Sequence, residues 1–181
     1  MSLIYVIPIN FSQNSLLNPL RERISITFHE ETRVVFLPID PAFAYDRGRN
    51  QYNSSLLLAQ LVEMKPKDTH RILGVTDLDL FIPILTFVFG EAQLGGPAAV
   101  VSIYRLKNQF YGLPRDNTLL LKRLEKEAIH ELGHTFGLVH CRNDLCVMKT
   151  STYVENIDLK PVRLCQACLR TYSEKLVTRP A

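Results

Sequence analysis

An eleven-residue segment from His130 to His140 concentrates the side chains whose types and spacing could bind a metal ion. It reads His-Glu-Leu-Gly-His-Thr-Phe-Gly-Leu-Val-His, and it holds three of the five histidines of the chain. Residues four apart lie one above the other on a helix, with Cβ atoms about 5–6 Å apart. His130 and His134 can therefore reach one Zn²⁺ if this segment is helical.

The neighbouring residues predict a catalytic role for that metal. Glu131 lies about 100° around the helix from His130, where it can accept a proton from a water that zinc activates. Gly137 can end the helix in a left-handed conformation, so that His140 returns to the same metal. Three histidine ligands leave a fourth position open, as in catalytic zinc sites. The alternative is a helix whose histidines are surface or core residues.

The four cysteines of the chain form two pairs, Cys141 with Cys146 and Cys165 with Cys168. This spacing is typical of a four-thiolate structural zinc site. Two disulfides in an oxidising compartment, buried or reactive thiols, and a redox Cys-x-x-Cys are the alternatives. Because His140 and Cys141 are adjacent, the two predicted sites must be mechanically coupled. We therefore predict that a substitution in the cysteine set weakens metal retention at the histidines.

The elements that would position these residues alternate between strand and helix over the first two thirds of the chain. This pattern predicts an α/β sheet, followed by a helix and a metal-bound loop. Residues 81–90 are the most apolar segment and are interpreted as a core strand or its flank, and 90–97 as a turn. The predicted strands are 3–7, 33–37, 72–75, 87–89 and 98–105, and the predicted helices are 15–23, 53–64, 117–136 and 166–176.

Length and composition indicate one domain, 1–181, with a sheet and helix part over 1–116 and both metal sites in 117–181. A net charge of +3, without clusters of Lys and Arg, disfavours a nucleic-acid-binding protein, including a zinc ribbon built on the cysteines. No segment has the length of a membrane span, and the N-terminal residues lack signal-peptide features. We expect a cytoplasmic monomer.

The full His-Glu-x-x-His-x-x-Gly-x-x-His pattern is the signature of the metzincin clan of zinc peptidases. Met148 is the candidate for the methionine turn of that clan. HELGHTFGLVHC followed by CRNDLC, VM and CQAC resembles one family in particular, the archaemetzincins. Upstream segments 87–92 and 100–102 and Arg105 are also similar to that family.

The resemblance implies a compact metzincin-like α/β (α+β) domain with a twisted mixed sheet, packed helices, a long active-site helix and a C-terminal zinc-bound region. It implies two zinc ions: a catalytic one at His130, His134 and His140 with Glu131 as general base, and a structural one at the four cysteines. By the same resemblance, the strand 98–105 or the turn before it is a candidate for the upper rim of the cleft.

These observations predict two alternative functions for the protein. The first is a zinc metallopeptidase acting on peptides or proteins, with aminopeptidase or short-peptide specificity expected from its small size. The second is a catalytically latched zinc protein that binds peptides or regulates a partner. Lys149 and Tyr153 are possible helpers for an oxyanion, with surface solvation favoured for both. Three imidazoles also suit iron, which leaves the identity of the metal open.

Overall fold

Strands and helices alternate along residues 3–177, the part of the chain that the computed structural model describes. The strands are β1 (Leu3–Ile9), β2 (Glu31–Val34), β3 (Tyr45–Asp46), β4 (Gln51–Asn53), β5 (Arg71–Thr76), β6 (Leu80–Phe81), β7 (Gly90–Ala92) and β8 (Ala98–Ser102). The helices are α1 (Leu17–Phe28), α2 (Ser54–Glu63), α3 (Asn117–Thr135), α4 (Val154–Leu159) and α5 (Gln166–Val177).

The main sheet has five strands in the order β2-β1-β5-β8-β7. Four of them are parallel, and β7 runs antiparallel to β8 at one edge. All six residues of β5 are buried, as expected for a central parallel strand with both faces covered. The predicted α/β class with a mixed sheet is confirmed.

Helices cover the two faces of this sheet. On one face, α1 and α3 pack against side chains such as Val6 and Val101. On the other face, α2 packs against the alternate residues, such as Ile7 and Val100. The first of these cores also takes in Leu164 and residues of α5. Because this core joins the parts 1–116 and 117–181, we propose that the chain folds as a single domain.

Helix α3, which carries the metal-binding motif, ends where the sequence predicted. Gly137 has φ +81°, and its backbone N–H donates to the carbonyl of His134 over 2.8 Å. The N–H of Leu138 donates to the carbonyl of Gly133 over 3.0 Å. These two bonds form a Schellman motif, which needs a left-handed residue at Gly137.

The prediction for residues 87–97 was wrong. The segment 87–89 forms one isolated bridge, between Leu80 and Val88, and the expected turn contains strand β7. A Cβ on Gly90 would lie 2.6 Å from the Cγ atom of Glu131 and 2.7 Å from the carbonyl of Val100. Strand β7 begins at Gly90, whose lack of a side chain lets the strand approach α3 closely. This requirement arises from tertiary packing, so the local sequence pattern does not predict it.

Residues 81–90 were expected to be a core strand or its flank, and only their ends fit: Phe81 in β6 is 4% exposed and Phe89, next to β7, is 6% exposed. Ile84 is 86% exposed and Leu85 is 49% exposed, because residues 82–88 form a surface loop beside the functional site. Other differences concern boundaries or short elements. Strand 33–37 lies at 31–34, helix 15–23 lies at 17–28, strand 98–105 ends at 102, and β3, β4, β6 and α4 were not predicted.

Among the described residues, no helix is both long enough and apolar enough to cross a membrane.

Candidate metal centre and active site

Three histidine side chains converge at the C-terminal end of α3. One ring nitrogen from each of His130, His134 and His140 lies within 4.8 Å of the other two. The Nε2 atoms of His130 and His134 are 3.1 Å apart. His130 is buried and His140 is exposed, so the group stands between the core and the surface.

Backbone carbonyls fix the orientation of two of these rings. The Nδ1 atom of His130 lies 2.9 Å from the carbonyl of Val147, and that of His134 lies 2.7 Å from the carbonyl of Leu138. Because a carbonyl only accepts, each Nδ1 carries the hydrogen and each Nε2 presents a lone pair. Two lone pairs that face each other over 3.1 Å repel unless a cation lies between them.

The distances and protonation of this group fit zinc. Zn–N bonds of about 2.0–2.1 Å in a tetrahedral site place two ligand nitrogens about 3.3–3.4 Å apart, close to the observed 3.1 Å. Burial, and after it the Lys160 ammonium, lowers the pKa of His130 well below its ordinary value. Burial also lowers the pKa of His134 and His140. Neutral imidazoles, the form that binds metal, are therefore favoured.

Glu131 lies beside this group, in a buried position against β7. Burial, and after it the neighbouring Glu127 carboxylate, raises the pKa of Glu131 well above its ordinary value in the metal-free protein. Its carboxylate oxygens are not among the converging ligand atoms. Glu131 thus lines the same cleft as His130 and His140 without belonging to the group of converging ligand atoms.

The four cysteines form a second cluster immediately behind the first. Their sulfur atoms all lie within 4.8 Å of one another, with Sγ–Sγ distances of 3.9 Å for Cys141–Cys165 and 3.7 Å for Cys146–Cys168. Zn–S bonds of about 2.3 Å give tetrahedral edges of about 3.8 Å, so the cluster fits one zinc. All four thiols are free, and none is close enough to another for a disulfide.

Hydrogen bonds within the cysteine cluster lower the pKa of one of its thiols. The pKa of Cys165 is lowered to about 7, first by a backbone hydrogen bond at Cys168. Its own N–H donates to the sulfur of Cys146 over 3.3 Å. A thiol with a pKa near neutrality is readily converted to the thiolate that binds zinc.

Met148 connects the two clusters. It is fully buried, and its carbonyl accepts a hydrogen bond from the N–H of Cys141 over 2.9 Å. Its thioether packs against α3 at Gly133, where a Cβ would lie 2.5 Å from the sulfur atom. The predicted methionine-turn residue therefore lies directly against the helix that carries His130 and His134.

A cleft of about 330 Å³ opens in front of the histidines. Residues 85–90 and 150–152 form its walls, together with His140 and with Glu127, His130 and Glu131 of α3. Neither Lys149 nor Tyr153 lines this cleft. Lys149 forms an ion pair with Asp144, and Tyr153 is 66% exposed. The structure therefore does not bring these two oxyanion candidates to the metal group.

Residues 98–105, one of the two candidates for the rim, do not line the cleft, and β8 lies inside the sheet between β5 and β7. The edge strand is β7, within the segment 90–97 that was the other candidate, and its first residue, Gly90, lines the cleft. The rest of this wall is the loop before β7, which basic and amide side chains hold in place. Arg49 donates to the carbonyls of Leu85 and Pro83 over 2.9 and 3.2 Å, and Gln51 donates to the carbonyl of Thr86 over 3.0 Å.

Two site residues were not found from the sequence, Glu127 and Lys160. Glu127 lines the cleft, and its Oε1 atom lies 2.8 Å from the Nζ atom of Lys160. The spacing of Glu127, His130, Glu131 and His134 is 0, 3, 4 and 7, which places all four on one helix face. That spacing could have revealed Glu127, whereas nothing local singles out Lys160.

Comparisons with known proteins agree with this geometry. The model of peptidase family M54 matches residues 31–174. The archaemetzincin of Methanocaldococcus jannaschii is 44% identical over 135 residues, which cover 75% of this chain and 73% of the relative. The crystal structure of the archaemetzincin of Methanopyrus kandleri has a TM-score of 0.84 at 35% identity, covering 97% of this chain and 96% of that one.

A third relative is described as a zinc-dependent peptidase. Its crystal structure, from Methanocorpusculum labreanum, has a TM-score of 0.80 at 30% identity and covers 93% of this chain and 99% of that one. The family match spans most of the chain, and the relatives match it over most of their own length. The chain therefore belongs to peptidase family M54, together with the archaemetzincins.

Proposed function

We propose that this protein is a zinc-dependent peptidase in which His130, His134 and His140 hold the catalytic metal and Glu131 is the general base. The observation that carries the proposal is the pair of backbone-oriented imidazoles whose bare Nε2 atoms face each other over 3.1 Å. Such a pair needs a cation, and membership of a zinc metallopeptidase family supports zinc as that cation.

A zinc ion held there supplies Lewis-acid polarisation of a peptide carbonyl and lowers the pKa of water to about 7. Glu131, buried beside the histidines, takes the proton of the attacking water. It later transfers this proton to the amine that leaves when the peptide bond breaks. Burial raises the pKa of its carboxylate in the metal-free protein, which favours holding the proton until the amine leaves.

We propose that Cys141, Cys146, Cys165 and Cys168 hold a second zinc with no open position, giving two zinc ions per chain. The fit of the sulfur distances to a tetrahedral site supports this. The site has a structural role because Cys141 and Met148 share a backbone hydrogen bond, which links the cysteine cluster to the segment under α3. A cytoplasmic location, a monomeric state and the absence of nucleic-acid partners stay predictions.

The substrates are peptides, and the cleft supports a preference for short ones. Its two walls enclose a volume of only about 330 Å³. An aminopeptidase needs a carboxylate that can bind the ammonium group of the substrate, and Glu127 already forms an ion pair with Lys160. We therefore propose cleavage of short peptides rather than removal of single N-terminal residues.

The deciding experiment is cleavage of a mixed peptide library by zinc-loaded protein, with Glu131→Gln at equal metal content as the matched control. We expect cuts with the wild type and at least a hundredfold fewer with the variant, about the contribution of a general base. Equal activity of both proteins would refute the role of Glu131. If neither protein cuts while both hold two zinc ions, the latched, peptide-binding alternative replaces the peptidase.

A further inference from the structure

The helix face that presents His130 and His134 also presents a third potential ligand. Glu127 lies one turn before His130 on this face and lines the same cleft. A glutamate carboxylate binds zinc at about 2.0–2.2 Å. If the carboxylate of Glu127 turned towards the histidines, it could take the fourth ligand position and close the site to water and substrate.

In the structure, Lys160 holds this carboxylate elsewhere. The side chains of Lys160 and Glu127 are 1% and 4% exposed, and their Nζ and Oε1 atoms are 2.8 Å apart. The same Nζ atom donates to the carbonyl of Lys149 over 3.2 Å, which fixes the ammonium to the backbone next to Met148. The carboxylate oxygens of Glu127 are absent from the group of converging ligand atoms.

A buried ion pair needs an explanation, because the free energy needed to remove two charges from water often exceeds the free energy gained from their attraction. This pair is also unusual in its position: a buried ammonium beside a site for a dication repels the metal. Replacing a buried ion pair by apolar residues of similar volume is often neutral or stabilising.

We propose that Lys160 is a positioning residue that holds the Glu127 carboxylate away from the histidines and so keeps the fourth metal position open. Glu127 in turn neutralises the charge of the Lys160 ammonium, which would otherwise repel a dication bound at the histidines. Because Glu127 is held away, the metal has one protein ligand fewer and is bound less tightly, but its fourth position stays open to water and substrate. This inference rests on the proposed zinc site at the three histidines.

Three variants separate this role from a structural one, because they shift zinc affinity in different directions. Lys160→Met frees Glu127 to bind the metal, so the Kd for zinc at the histidine site should fall about tenfold while kcat for peptide hydrolysis drops at least tenfold. Glu127→Gln leaves the ammonium without a counter-charge, so the Kd should rise about tenfold. The double variant should return to within about threefold of the wild type.

The affinities are measured by competition with a fluorescent chelator, using His134→Ala to define the zinc that remains at the cysteines. Arg123 and Asp158 give a matched control, since they form a second ion pair between α3 and α4 with an N–O distance of 2.7 Å. The double substitution Arg123→Met/Asp158→Asn removes a comparable link that does not line the cleft. It should reduce thermal stability and leave the Kd for zinc unchanged.

A purely structural role predicts that all variants of the pair bind zinc more weakly, and that result would overturn the inference. If a single variant does not fold, the double variant decides alone: a Kd near that of the wild type supports the charge account, and a loss above about tenfold contradicts it. If the wild type binds no more zinc than His134→Ala, the proposed metal site itself fails, which is a separate outcome.

Discussion

The contact between Gly133 and Met148 allows a quantitative prediction about how the methionine turn supports α3. An alanine at Gly133 would place its Cβ 2.5 Å from the Met148 sulfur and 3.1 Å from its Cε atom. Ordinary contacts between such atoms are about 3.5–4.0 Å, so the thioether must move by about 1 Å. Met148 is fully buried, and its neighbours leave little space for that movement.

Two effects of opposite sign set the size of the change. Overpacking a core costs about 1–3 kcal/mol, and replacing a helical glycine by alanine returns about 1 kcal/mol. A contact of 2.5 Å is so short that the overpacking cost should lie in the upper part of its range, about 2–3 kcal/mol. We therefore expect Gly133→Ala to lower the free energy of unfolding by about 1–2 kcal/mol. At about 2–4 °C per kcal/mol for a chain of this size, the Tm should fall by about 2–8 °C.

Differential scanning calorimetry at a fixed excess of zinc tests this, because bound metal itself raises the Tm. Met148→Ala creates a cavity at the same place, and the alanine at position 133 should then fit without strain. The double variant should therefore be more stable than the sum of the single effects predicts, by about 1–2 kcal/mol. Additive effects, or an unchanged Tm for Gly133→Ala, would show that the contact does not constrain the helix.

Four further predictions follow from other sites. Gly137→Ala should cost about 1–2 kcal/mol in thermal unfolding, because its φ of +81° is strained for a residue with a side chain; Gly137→Asn should cost less, and equal losses would contradict this explanation. Arg105→Lys keeps the charge but loses the two hydrogen bonds of 2.6 and 2.8 Å to the Asp79 carboxylate and the stacking on the rings of Phe87 and Phe110. Limited proteolysis should then cut the loop before β7 faster. An unchanged rate would refute the idea that Arg105 holds this wall of the cleft. Burial raises the pKa of Glu131 in the folded protein without metal. Protonation of Glu131 therefore stabilises the fold, and this stabilisation is complete below about pH 4.3 and is lost as the pH rises. In a His134→Ala background, Glu131→Gln should thus increase the Tm by an amount that grows with pH, and a difference that stays constant with pH would exclude this explanation. Cys165→Ser should speed loss of zinc from the histidines to a chelator, and an unchanged rate would show that the two clusters are independent.

The sequence by itself predicted which histidines and which cysteines come together, and it predicted the elements with a strong local signal. The spacing of His130 and His134 requires only the period of a helix, and the end of that helix requires only the glycine at 137. The buried strands β1, β5 and β8 and helices α2, α3 and α5 were found because apolar periodicity and caps are local properties. The N-cap at Asn53, for example, accepts the N–H groups of Ser55 and Leu56.

The tertiary structure alone decided which surfaces surround the metal group. The apolar loop 82–88 lies at the surface because Arg49 and Gln51, far away in the chain, bind its carbonyls. Strand β7 pairs at Gly90 because Glu131 fills the space of a side chain there. Lys160 reaches Glu127 across 33 positions of the chain only after α4 folds against α3. Contacts between distant segments depend on how the whole core packs, which no local pattern records.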